Sequence, residues 1–144
     1  MTRLMLAAML FAATGAVAAQ AAAGLPATKA PADAGVYFIS PQDGATVPAT
    51  FTVRFGLKGM GVAPAGVARE STGHHHLLID AKQLPAAGQP IPNDAQHRHF
   101  GGGQTEATLT LPPGTHTLQL ELGDASHVPF DPPLVSKRIT VHVQ

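Results

Sequence analysis

Residues 49–57, Ala49-Thr50-Phe51-Thr52-Val53-Arg54-Phe55-Gly56-Leu57, alternate without a break. Phe51, Val53, Phe55 and Leu57 fall on one side, with Thr50, Thr52 and Arg54 on the other. A period of two belongs to a strand with one buried face. The pattern recurs down the chain. Thr105 to Leu111 turns Ala107, Leu109 and Leu111 inward, Thr115 to Leu122 aligns His116, Leu118, Leu120 and Leu122, and Lys137 to Val143 aligns Ile139, Val141 and Val143. Val36-Tyr37-Phe38-Ile39 is a short apolar run stopped by Ser40-Pro41, and residues 74–80 carry His74-His75-His76-Leu77-Leu78-Ile79 before Asp80. No segment has a helical period, and 15 Gly and 13 Pro punctuate the chain into short pieces.

The expected fold is therefore all-β, an immunoglobulin-like two-sheet antiparallel sandwich. Its strands are expected at 36–40, 49–58, 74–80, about 96–100, 105–111, 115–122 and 137–143. Pro112-Pro113-Gly114 makes a turn before the sixth of these. Sandwiches of this type often place a Tyr at that corner with its hydroxyl bonded back to the backbone. His116 stands there instead and can make the same kind of bond through a ring N–H.

Met1 to Ala19 has the form of a secretory signal: Arg3, then an uncharged apolar stretch from Leu4 to Ala13, then small residues at Ala16-Val17-Ala18-Ala19. The stretch is shorter than the roughly 20 apolar residues of a membrane span. The expected organisation is a signal peptide at 1–19, a flexible leader at 20–35 and a single sandwich domain at 36–144. The expected compartment is the periplasm, with no membrane association after cleavage.

The 144 residues include nine basic and nine acidic side chains, a formal net charge of +0, and charged residues are only 12% of the chain. Nucleic acid and anionic membrane both require clustered Lys and Arg, so neither is an expected partner. With no Cys there is no disulfide framework, thiolate metal site or cysteine nucleophile. No nucleophile elbow and no His-Glu-x-x-His is present.

Eight histidines in so short a chain are the anomaly. Strands alternate in direction, so the second-to-third, fourth-to-fifth and sixth-to-seventh connections meet at one end of a sandwich. His74 and His76 open the third strand at that end, and His97 and His99 precede the Gly101-Gly102-Gly103 turn. His127 lies in the last connection, and Met60 begins the second-to-third one. Each His-x-His pair projects both imidazoles from one face of an extended strand, ~7 Å apart. Neutral imidazole suits copper or zinc, and a thioether such as Met60 would tilt preference toward copper. His75 has the opposite parity and shares a face with Leu77 and Ile79, as a core residue or one supporting the ligands. Asp80 and Glu106 are further candidates for orienting them.

Three readings of these residues stay open. The first is a metal-binding domain with His74, His76, His97, His99 and His127 as ligands. The second is a metal-free binding module, whose histidine-lined end grips a small anionic ligand or a periplasmic partner protein once the imidazoles are protonated. The third is a metal-dependent enzyme with an open coordination position.

Four segments carry a resemblance: Gly59-Met60-Gly61-Val62, Thr72 to Asp80, His97 to Glu106, and Gly114 to Leu118. Over about residues 36–143 the chain resembles the bacterial exported family catalogued as domain of unknown function 4399. That resemblance implies a small exported domain. Pro113-Gly114-Thr115-His116 is also similar to the copper-ligand strand of the A family of periplasmic copper chaperones, but the Met of that pattern is Leu118 here.

Overall fold

The computed structural model describes residues 23–144, so the expected signal at 1–19 lies outside the described residues. Among them there is no helix. The strands are β1 (Gly35–Ser40), β2 (Ala45–Val47), β3 (Thr50–Lys58), β4 (Gly61–Val62), β5 (Thr72–Ile79), β6 (His97–His99), β7 (Glu106–Thr110), β8 (Gly114–Gly123) and β9 (Ile139–Val143). They form two sheets. One has the order β1-β3-β7; the other runs β2-β9-β8-β5-β4, with β6 also paired to β5.

Alternation explains how the two sheets meet. Val36, Phe51, Val53, Phe55 and Leu109 from the small sheet pack against Leu77, Ile79, Leu118, Leu120, Ile139, Val141 and Val143 from the large one, with Phe100 joining them. Fully burying an aliphatic or Phe side chain contributes ~1.5–3 kcal/mol, so this interdigitated layer holds the sheets together. The opposite parity of β3 and β7 stays in water: Thr50 faces Thr110 through a 3.0 Å hydroxyl hydrogen bond, and Arg54 pairs with Glu106 at 3.1 Å.

Three details depart from the sequence expectation. The short strands β2 and β4 pair parallel with β9 and β5, so the pairing is not antiparallel throughout. Neither was anticipated, because two or three residues are too few to show a period. The expected fourth strand shrinks to β6 and joins β5, with His99 opposite His76 and His97 opposite Leu78. Residues 23–34 form no strand but lie along two loops. Leu25 donates its N–H to the Gly88 carbonyl at 2.8 Å, and Asp131 donates to the Thr28 carbonyl at 3.0 Å.

The corner expected at His116 has a fuller network. Its Nε2–H donates to the Pro112 carbonyl at 2.9 Å, and Nδ1 lies 2.7 Å from the Asp80 carboxylate. Asp80 also accepts the Thr117 N–H at 2.8 Å. Both His116 partners are acceptors, so the cation satisfies both. The Asp80 hydrogen bond accordingly raises the His116 pKa, against a smaller opposing effect of burial.

Candidate metal centre

The large sheet has a second buried face, turned away from the shared core. β5 is hydrogen-bonded on both sides, to β8 along most of its length and to β4 and β6 at its two ends. Its residues therefore divide strictly by parity. His75, Leu77 and Ile79 enter the shared core, where the His75 ring packs 5.2 Å from that of Phe55. His74, His76 and Leu78 point to the other face, and all three histidines are fully buried.

Strand β6 and the turn after β8 bring further imidazoles over that face. His99 sits beside His76, with the rings stacked at 5.1 Å. His127 comes from the turn after β8, where its φ of 65° places it in the left-handed region. Its ring lies 4.7 Å from that of His99 and 5.1 Å from that of His74. One ring nitrogen from each of His74, His76, His99 and His127 lies within 4.8 Å of all the others. Four nitrogens around a tetrahedral ion at zinc–imidazole bond lengths are spaced by about 3.3 Å, so side-chain adjustments of roughly an ångström would close the set.

Within the cluster there is one hydrogen bond, His74 Nε2 to His127 Nδ1 at 3.1 Å. Nδ1 of His74, both nitrogens of His76 and Nε2 of His99 are buried without a hydrogen-bond partner. A polar atom left so costs ~1–3 kcal/mol. Burial also disfavours the protonated form of three of the rings. Burial, then the neighbouring His99 and His127, lowers His74 to about 4 despite the opposing charge of Asp124. Burial and the surrounding imidazoles lower His76 to about 2, and burial with His127 lowers His99. Imidazoles converging from three elements, several of their nitrogens buried without a partner, are the kind of donor set that transition metals take when the rings are neutral.

Two glycines make this packing possible. A Cβ at Gly123 would meet Cε1 of His76 at 2.6 Å, and one at Gly101 would meet Nε2 of His99 at 2.6 Å. The rim is stitched by backbone: Ala65 N–H donates to the Gly101 carbonyl and Gly66 N–H to that of Ala125, at 2.8 and 2.9 Å. The β4–β5 loop thus joins the segments carrying His99 and His127.

The other candidates lie elsewhere. His97 is on the same face but one step farther along, where its Nδ1 lies 2.8 Å from Asp94. Met60 lines a surface depression with Arg69, Glu70 and Ser71. Asp80 serves His116 and Glu106 serves Arg54. His75 is in the shared core, its pKa lowered to about 4 by burial against the smaller opposing effect of the Gly56 and Gln104 backbone.

Three groups near the cluster escaped the sequence reading. Gly101 and Gly123 read as turn residues. Glu121, alternating with Leu120 and Leu122, reads as a solvated position, yet it is fully buried beside Val135 and burial raises its pKa to about 7. Asp124 had a sequence signal: a small-residue turn, Asp124-Ala125-Ser126-His127, in which the carboxylate can accept backbone N–H bonds.

Residues 53–144 match the family model described as Domain of unknown function (DUF4399). No curated protein and no solved structure matches the chain.

Proposed function

The chain belongs to the DUF4399 family, and from the histidine cluster and the signal-like sequence at residues 1–19 we propose that it is an exported periplasmic domain that binds a transition metal, copper or zinc. The ligands are His74, His76, His99 and His127, and the role is storage, delivery or sensing of the ion. The scaffold is an immunoglobulin-like sandwich whose outer sheet face, not its shared core, carries the site. One observation carries the reading: four imidazole nitrogens gather within 4.8 Å, and half of the eight ring nitrogens there are buried without a hydrogen-bond partner. A bound ion would satisfy one lone pair on each ring and offset the cost of burying it.

The lowered pKa values weigh against capture of an anion. That reading needs imidazolium at neutral pH, whereas burial keeps His74 and His76 neutral. Metal content of tag-free protein from the periplasmic fraction, with calorimetric titration of Cu²⁺ and Zn²⁺, tests the proposal. A stoichiometric, tightly held ion is expected. Protein that neither carries nor takes up either ion overturns it.

A further inference from the structure

We infer that Asp124 is the positioning residue of this centre: its carboxylate, clamped by Thr28 of the N-terminal segment, fixes the turn that aims His127 and places negative charge beside the ion. This rests on the metal-binding reading above.

Asp124 is 9% exposed, and both carboxylate oxygens are engaged. Oδ1 accepts the backbone N–H of Ser126 at 2.8 Å and that of Val128 at 3.1 Å. Oδ2 accepts the Thr28 hydroxyl at 2.7 Å. The backbone closes the same turn: Asp124 N–H donates to the Val128 carbonyl at 3.0 Å, and His127 N–H donates to the Asp124 carbonyl at 2.9 Å. His127 is thus bracketed on both sides by bonds to one residue. That bracketing offsets the cost of its left-handed backbone, which a non-glycine residue adopts only when its surroundings impose it. Thr28 reaches this carboxylate from 96 residues away, so the segment before β1 is part of the brace. The Asp124 carboxylate also brings negative charge to the cluster, where it acts on His74, and such a charge favours a bound cation.

The test measures Cu²⁺ and Zn²⁺ affinity, with the Cu²⁺ electron paramagnetic resonance spectrum, for wild type, Asp124→Asn, Asp124→Ala, Thr28→Val, His127→Ala and the Asp124→Ala/His127→Ala double variant. Loss of a partner that orients a metal ligand weakens affinity roughly 10- to 100-fold. Asp124→Ala is expected to do so, and to shift the copper spectrum toward that of His127→Ala. Once His127 is gone, Asp124→Ala should weaken binding by much less than in wild type, because the two act through one ligand. Asp124→Asn and Thr28→Val, which keep most of the turn, should show the same direction at smaller size. If Asp124→Ala does not fold, these two decide. Wild-type affinity and spectrum in the Asp124 and Thr28 variants, while His127→Ala loses affinity, overturn this inference alone. Wild-type protein that binds neither ion overturns the metal reading with it.

Discussion

The imidazole of His76 rests on Gly123: a methyl group there would stand 2.6 Å from Cε1 and 3.1 Å from Nδ1 of the ring. Gly123 faces His74 across the β5–β8 pair, so the space a side chain would occupy is where the two β5 imidazoles converge. Gly123→Ala should therefore push His76 out of the set without touching any ligand atom. We expect metal affinity to fall at least about tenfold, the size seen when ligand-orienting partners are lost. Gly101→Ala should do the same through His99. Calorimetric titration checks both, and unchanged affinity would show that the rings find another packing.

If one ion is shared, ligand losses do not add. His76→Ala and His99→Ala should each weaken binding strongly, and the double variant should be less impaired than the sum of the two effects. His142→Ala, where the ring meets Thr115 on the far strand, should bind as wild type does. His97→Ala should also leave affinity nearly unchanged, since Asp94 holds that ring. Competition titrations against a chelator of known affinity give these ratios.

The lowered histidine pKa values set the sign of the pH dependence. In the unfolded chain these imidazoles take up protons below about 6.5, whereas in the fold His74 does so only near 4 and His76 near 2. Between those values the unfolded state binds more protons. Their titration therefore costs nothing above about pH 6.5 and destabilises the fold increasingly as pH falls toward 4 for His74 and toward 2 for His76, at roughly 1.4 kcal/mol per unit of separation. Denaturant titrations of metal-free protein across this range should show the decline. Metal should be retained at about pH 5.5, where free imidazole is mostly protonated.

His116 works in the other direction. Its raised pKa means that its contribution is present below the unfolded value and fades as pH rises through the folded one. Asp80→Asn should remove that contribution and cost about 1 kcal/mol, the pair being partly exposed. Metal affinity should not change, because the pair lies outside the cluster. Thermal unfolding of this variant at two pH values separates the corner from the centre.

Much of this architecture was legible because strand parity is a strong signal. Phe51-x-Val53-x-Phe55 fixed the inner face of β3, and the same rule separated His75 from His74 and His76 before any contact was known. The gathering of His99 and His127 with that pair followed from strand direction alone. Other features had no local trace. β6 has three residues, too few to reveal that it pairs with β5. His97 satisfies the same spacing rule as His99, but it lies one step farther along β6, opposite Leu78, where the Asp94 carboxylate holds its ring. Glu121 looked solvated because alternation reports which side a residue faces, not whether a later segment covers that side.

The large sheet divides the molecule into two interiors of different chemistry. On one side lie Val53, Leu77, Leu120 and Val141, all fully buried and indifferent to pH or dissolved ions. On the other lie the imidazoles of His74 and His76, equally buried, whose comfort depends on protons and on what the solution contains. A protein partitioned in this way keeps its adhesive surface and its receptive surface on opposite sides of one wall, so a change at the imidazoles of His74 and His76 need not pass through the layer that holds the sheets together.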